Sequence, residues 1–516
     1  MSHTHHIHVD ITNRTARLSG HYSSRKLIPH WSFQVPQWHF IKERYSYWDE
    51  DEGKTKYRWD GKIKFFKYGK MPAGLFYATY RDIEKEEHVK FKIHHDDWST
   101  LPITSERHWL VSDKHEEADY RYQNKCVDKI IEKMYKGGGL ILSATGTGKT
   151  RMAAMLASRL KCQILFVVDE LVLLEQARDD IAHHLGEEIG KVGESKFHPK
   201  RVTVATIQTL NIHRNDPRFL SWFHDVDLEI IDEIHVQMNR QNFDVVSVCN
   251  PRVVLGLTAT LSLTKKPIRL KAYSLCGPVI YEFPLQKGVE KGVLSKGVAV
   301  CVQYDNSVRE IEAYTSKEIY DKKIVENAER NHIISRIVRR AYKYGKYVFV
   351  LVDRLQHLAE ISDRLHGIPR DIVAGSFKGY GISKFERLKS KLRFEKGNVR
   401  VIIASKVFKK GVSVNRVDVI IDAAARQSRE DAIQKFGRGV RRHMEKQGLI
   451  YFDISDWDHR DEYRRRENRN PLGKAARRRK RALRSAGIEV KDFNWNDEST
   501  TTQLFKKAEK WLKDLL

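Results

Sequence analysis

The chain has 516 residues, 41% of them apolar, with 93 Lys and Arg against 67 Asp and Glu for a formal charge of +26. That length points to about three domains, the apolar content excludes a disordered chain, and the basic excess points to phosphate-bearing partners. No apolar run reaches the roughly 18–20 residues of a membrane span, and the His-rich N-terminus lacks a basic segment followed by an apolar one, so neither a membrane partner nor secretion is expected.

Residues 1–115 lack the strand–helix rhythm of the downstream sequence and carry six of the ten tryptophans, at 31, 38, 48, 59, 98 and 109. Short alternating runs, Tyr57 to Trp59 and Lys62 to Tyr68, predict strands with one basic face. This stretch is read as a separate α+β or β-rich accessory domain that binds nucleic acid. His3, His5, His6 and His8 form a short tract with metal-binding chemistry, but an incidental tail is the favoured reading and no metal site is expected there. The five cysteines lie far apart with no CxxC pair, which disfavours a zinc ribbon and fits a reducing, intracellular setting.

Across 116–275 apolar runs of strand length alternate with helical patterns: 139–142, 164–168, 202–205, 229–231 and 253–256. Such alternation predicts a parallel sheet covered by helices on both faces. A second unit is expected over 326–455, with strands at 347–352, 399–403, 419–421 and 449–452, and 276–325 is read as a linker region. The final segment, 456–516, is a basic helical extension. Arg464 to Arg466 and Arg477 to Arg481 make it a candidate grip on phosphates. Its last apolar residues recur at helical spacing and are expected to pack on the protein.

The strongest local signal is Ser143-Ala144-Thr145-Gly146-Thr147-Gly148-Lys149-Thr150, between a strand and a helical run. Small residues there let backbone N–H groups close around phosphates, and the following helix N-terminus adds its dipole. Thr145, Gly146, Thr147, Gly148, Lys149 and Thr150 are therefore the predicted ATP-binding residues. Lys149 would reach the β- and γ-phosphates, and Thr150 would help hold Mg²⁺. Downstream, Asp232-Glu233-Ile234-His235 follows an apolar strand. A carboxylate at a strand end suits a metal ion, and its neighbour suits a role orienting the attacking water. The predicted metal ligands are Thr150 and Asp232.

In these residues the chain resembles the superfamily 2 helicases, over roughly 120–450. Asp232 to His235 resembles their DExH motif, and Thr258-Ala259-Thr260 the motif that couples nucleotide state to the nucleic-acid track. Gln123 is similar to the adenine-reading glutamine. Gln176 and the pair Thr206 and Gln208 fall in segments resembling the strand-gripping motifs of the first lobe. Gln434-Lys435-Phe436-Gly437-Arg438-Gly439-Val440-Arg441 resembles the second lobe's QxxGRxxR motif. By that resemblance Gln434, Arg438 and Arg441 join Lys149, Asp232 and Glu233 in catalysis, the arginines stabilising charge on the transferring phosphoryl group. In the place of the family's fifth motif, Ser413 stands where an Asp is usual, and Lys406, Lys409 and Lys410 offer contacts to a bound strand.

The resemblance implies an α/β protein with two RecA-like parallel-sheet lobes that uses ATP and Mg²⁺. Among relatives with a DExH core, the phage UvsW-type and RecG-like enzymes, which remodel branched DNA, fit an accessory domain without a nuclease signature. The expected partner is thus DNA with forks or four-way junctions, and the expected location the cytoplasm, that of the host if a phage encodes the chain. An RNA helicase and an ATP-switched DNA-binding scaffold are the alternatives.

Overall fold

A computed structural model describes residues 6–12, 14–36, 38, 42–50, 54–95, 101–104, 121–305, 315–374, 383–405, 415–426, 428–443, 445–457, 471–495 and 500–515. The chain divides into two compact units: Met1–Ser143 with Lys149–Glu282, and Ala144–Gly148 with Phe283–Leu516. No described helix is long and apolar enough to cross a membrane.

The first unit opens with a four-stranded sheet, in the order Lys70–Pro72, Thr15–Ser19, His6–Thr12, Lys90–His95. Strand His6–Thr12 alternates strictly, with Ile7, Val9 and Ile11 buried beneath exposed polar neighbours, as a half-covered strand must. Helix Ala73–Glu86 supplies Leu75, Phe76 and Ile83 to the same core. The expected strand over Lys62 to Tyr68 is shorter: Lys62–Lys64 pairs with Ser32–Gln34, and the chain then turns at Tyr68 and Gly69, both at positive φ. The run Tyr57 to Trp59 likewise ends as a strand at Tyr57, paired within a hairpin of Ser46–Asp49 and Lys54–Tyr57.

This N-terminal part is built onto the larger sheet of the same unit. Leu270, on helix Lys266–Leu275, joins the N-terminal core, and the Lys266 ammonium donates to the Pro29 carbonyl at 2.6 Å. Arg14, at a turn with φ +65°, donates to the carbonyls of Leu275 at 2.7 Å and Gly137 at 3.2 Å.

The larger sheet has eight strands, in the order Lys196–His198, Gly190–Gly193, Val202–Thr206, Ile164–Val168, Leu228–Ile231, Val253–Thr258, Gly138–Ser143, Val279–Phe283. The pairings linking Gly190–Gly193 through to Gly138–Ser143 are all parallel. Strands such as Ile164–Val168 are buried at every residue, which is why they read as continuous apolar runs.

The second unit holds a seven-stranded sheet, in the order Asp371–Val373, Val401–Ala404, Val348–Leu351, Val419–Asp422, Leu449–Trp457, Gly297–Asp305, Glu489–Asn494, parallel at every pairing. Two of these strands come from outside the expected 326–455. Gly297–Asp305, in the stretch read as a linker, lies inside the sheet, and Glu489–Asn494, in the stretch read as an extension, forms its edge. Helix Thr500–Leu515 buries Leu504, Phe505, Ala508 and Leu512 against the same core. The segment's periodicity is helical because that face is apolar, and the strand before it is short enough to escape notice in a basic context.

Candidate nucleotide site and nucleic-acid interface

Strand Gly138–Ser143 delivers the chain into a loop closed by Thr147, whose hydroxyl donates to the Ala144 carbonyl at 2.6 Å. Gly146 in the loop has φ +87°, a conformation that disfavours any side chain. Helix Lys149–Arg159 starts immediately after, with Met152, Ala154 and Leu156 anchoring its inner face. The predicted binding residues Thr145 to Thr150 therefore form one continuous strand–loop–helix turn.

Asp232 and Glu233 follow strand Leu228–Ile231. The Asp232 N–H donates to the Val167 carbonyl at 2.9 Å, fixing the turn against the neighbouring strand. Glu233 takes a left-handed backbone conformation, φ +47°, and its carboxylate lies 3.6 Å from the Lys149 ammonium. Burial, then the Glu233 carboxylate, push the Asp232 carboxyl up to about 6, while Lys149 opposes the shift. His235 Nδ1 lies 3.3 Å from Glu233 and 2.9 Å from the Thr258 hydroxyl. Thr258 in turn donates to the Thr260 carbonyl at 3.2 Å. The acidic turn and the Thr258–Thr260 segment are thus joined through one imidazole. Gln237, not foreseen from the sequence, donates to the Asp232 carbonyl and braces the turn from below.

Two carboxylates, one hydroxyl and one ammonium suit a magnesium nucleotide. Mg²⁺ ordinarily needs only one or two protein carboxylates beside the phosphate oxygens, and the described residues contain no cluster of three or more His, Cys, Asp or Glu that would hold a metal alone. His6 and His8 belong to a strand, His8 stacking on His94 at 5.8 Å, while His3 and His5 lie outside the described residues. All five cysteines are buried and free.

In the second unit, helix Arg429–Gly439 is capped by Ser428, whose hydroxyl accepts from the Asp431 N–H at 3.2 Å. Gln434 and Arg438 share a half-buried face one turn apart. Loop residues Ala144–Gly148 belong to this unit. A methyl group placed on Gly437 would come within 3.0 Å of Thr145 Cβ, and one on Gly146 within 3.0 Å of Arg441 Cγ. Two glycines thus let the QxxGRxxR segment approach the loop closely. The Ser295 N–H donates to the Val440 carbonyl at 2.7 Å, tying the segment's end to the chain before strand Gly297–Asp305.

The other predicted residues are more dispersed. Gln123 is buried on helix Arg121–Lys133, with its amide 3.3 Å from the Tyr122 hydroxyl. Gln176 is half-buried on helix Leu171–Leu185. Thr206 is buried and caps helix Ile207–His213, and the Gln208 amide donates to the Asp169 carbonyl at 2.7 Å. Lys406, Lys409 and Lys410, like Arg464 to Arg466, lie outside the described residues. Of the tryptophans, Trp31 is core, donating to Thr79 at 2.9 Å. Trp38 and Trp59 instead pack edge-on at 4.9 Å beside Tyr45 and Tyr57, whose rings are about two-fifths exposed. The Trp48 side chain, Trp98 and Trp109 are not described.

Two parallel-sheet α/β units, with a phosphate loop, a strand-end acid pair and an arginine-bearing helix on the second sheet, define an ATP-hydrolysing helicase core. Family profiles agree: residues 117–263 match the type III restriction enzyme res subunit and residues 329–443 the helicase conserved C-terminal domain. The chain belongs to the superfamily 2 helicases. It is 25% identical over 370 residues to a putative ATP-dependent RNA helicase, L396, of Acanthamoeba polyphaga mimivirus, covering 68% of this chain and 66% of that protein. It thus spans just under two thirds of that relative's length. It is 24% identical over 438 residues to the ATP-dependent DNA helicase uvsW of Enterobacteria phage T4, covering 77% of this chain and 82% of the relative. The fold is shared with a fragment of a putative type I restriction enzyme HsdR subunit from Vibrio vulnificus, with TM-score 0.53, 17% identity, and coverage of 90% of this chain and 83% of that one.

Proposed function

We propose that this chain is an ATP-driven DNA translocase that remodels branched DNA, regressing forks and migrating four-way junctions. The observation that carries the branched substrate is the attachment of the N-terminal domain. Arg14, Lys266 and Leu270 bind it to the elements of the first core sheet's unit, so a DNA arm held there moves with that sheet. The ring cluster of Trp38, Tyr45, Tyr57 and Trp59 offers unpaired bases a stacking surface. The DNA reading is supported by the T4 relative, matched across more of both chains than the relative named an RNA helicase.

The nucleotide chemistry follows from the same residues. In the structure Lys149 rests beside Glu233. An arriving γ-phosphate competes for that ammonium and frees the Glu233 carboxylate to orient the attacking water. Thr150 and Asp232 would hold Mg²⁺, which when bound supplies charge compensation to the phosphate oxygens. His235 reports the state of Glu233 to Thr258 through its two contacts. Arg438 and Arg441 stabilise the charge that spreads over the transferring phosphoryl group. Strand displacement on forks, four-way junctions, linear duplex and RNA duplex tests the reading. Preference for RNA would favour the alternative, and ATP turnover without displacement would favour an ATP-switched scaffold.

A further inference from the structure

Helix Pro471–Ser485 carries seven basic residues and no acidic one. One of the seven is structural. Arg479 is buried, donates to both oxygens of Asp453 at 2.8 and 2.7 Å and reaches the Arg426 carbonyl at 3.0 Å. Together with Ala475, Ala476, Ala482 and Leu483 it forms the inner face of the helix. The opposite face exposes Lys474, Arg477, Arg478, Arg481 and Arg484. At 3.6 residues per turn these five fall within an arc of about 120° and extend about 15 Å along the axis. Like charges three and four residues apart oppose a helix. At the C-terminal end of this face Asp492 stands 3.9 Å from Arg484, but it is already bound by Lys480 at 2.5 Å. The ridge is held rigid from behind by a buried ion pair, while its outer face gathers five exposed basic side chains within one arc.

We propose that this ridge is a track for the phosphate backbone of duplex DNA. The inference rests on the reading of the chain as a DNA translocase and assigns that activity a surface on the second unit. One DNA strand presents a phosphate about every 3.4 Å along the duplex axis, so a ridge of this length faces about four. The helix also lies against the helix that carries Gln434 and Arg438. Arg429 donates to the Ser485 hydroxyl at 2.9 Å, and Arg479 holds the carbonyl of Arg426, just before that helix begins. A backbone seated on the ridge therefore bears on the helix that carries Arg438, one of the two arginines proposed to act in catalysis.

The test uses the full chain and a fluorescent 30-base-pair DNA duplex, with affinity measured by anisotropy across a salt series. Replacing Arg477, Arg478, Arg481 and Arg484 together with Ala should lower the slope of log K against log salt by about three to four and weaken binding roughly tenfold or more. Thermal stability and DNA-independent ATP turnover should be retained, because the buried Arg479 is untouched. The milder pair Arg477→Gln and Arg481→Gln should lower the slope by about two, and it settles the question if the fourfold variant fails to fold. A control removes four lysines elsewhere on the same unit, Lys506, Lys507, Lys510 and Lys513, and should leave the slope nearly unchanged. An unchanged slope in the ridge variants, or an equal fall in the lysine control, overturns the track. A wild-type chain that binds no DNA overturns the translocase reading instead.

Discussion

The Lys435 ammonium spans both carboxylate oxygens of Asp422, at 2.8 and 2.7 Å, and Asp422 also accepts from the Tyr451 hydroxyl at 2.8 Å. The lysine belongs to helix Arg429–Gly439 and the aspartate ends strand Val419–Asp422, so this contact sets the helix's position on the sheet. Burial pulls the lysine's pKa down, but Asp422 and then Asp431 more than offset it, and the group stays charged. Lys435→Met leaves a buried carboxylate uncompensated and should cost about 3–5 kcal/mol. Urea denaturation measures it, and a loss under about 1 kcal/mol would contradict a positioning role of this strength.

A buried acid adds its own pH dependence to the stability of the first unit. Glu229 is fully buried, neither carboxylate oxygen has a hydrogen-bond partner, and burial pushes it up to about 8 with Arg14 opposing. Between its ordinary value of 4.5 and about 8 the folded chain keeps a proton that the unfolded chain has lost. Stability from this group is therefore complete below the lower value and falls as pH rises through the window. Glu229→Gln should flatten the dependence, raising Tm relative to the parent increasingly from about pH 5 to about pH 8. Superimposable Tm–pH curves for the two proteins would contradict it.

At the nucleotide site, Lys149→Ala removes the cation that meets the phosphates and should abolish ATP turnover. Glu233→Gln keeps Asp232 and the loop, so a fluorescent ATP analogue should bind nearly as before while hydrolysis falls sharply. Appreciable DNA-stimulated turnover in either variant would remove these residues from the roles proposed for them.

Arg438→Ala or Arg441→Ala should lower kcat by roughly 10²–10⁵-fold, the range for losing an oxyanion donor or an arginine finger. Nucleotide affinity should change far less, because the charge these groups meet develops in the transition state. Single-turnover hydrolysis beside equilibrium nucleotide binding separates the two effects. Equal losses in binding and rate would indicate simple ground-state contact.

Excising residues 1–115 is a blunter tool than the sequence suggests. It would expose Leu270 and remove Arg14 from the carbonyls of Gly137 and Leu275, so the truncated chain should aggregate or melt early. Tyr57→Ala and Trp59→Ala act at the half-exposed ring cluster and should weaken junction binding while sparing linear duplex. Equal loss on both substrates would make the cluster a structural element.

The strand–loop–helix turn at Ser143 to Thr150, the acid pair after its strand and the arginine-bearing helix were legible as elements, because fixed spacings there fall beside apolar runs that themselves reveal the strands. The second sheet was only partly legible. Strand Gly297–Asp305 lies far along the chain from its partner Leu449–Trp457, and Glu489–Asn494 carries Lys491 and Asp492 on an edge facing water. The buried ions were hidden for another reason. Arg479 pairs with Asp453 and Arg330 donates to Asp456 at 3.0 Å, acids distant in sequence, while Lys435 joins Asp422 on the sheet to Asp431 on its own helix. A basic run read one-dimensionally does not separate the one arginine that turns inward from those that face out. Thr206, in a segment resembling a strand-gripping motif, also accepts from the Thr209 N–H as a helix cap, a local role that Thr fills by short-range geometry.

Coupling of ATP turnover to branched DNA is tested most directly by steady-state ATPase across a substrate panel. Full-length protein would be assayed without nucleic acid and with linear duplex DNA, a model fork, a four-way junction and RNA duplex, at one fixed salt concentration. The fork and the junction should stimulate turnover most, with strand displacement that disappears in Glu233→Gln. Stimulation no greater on branched DNA than on linear duplex, or greatest on RNA, would contradict a branched-DNA translocase.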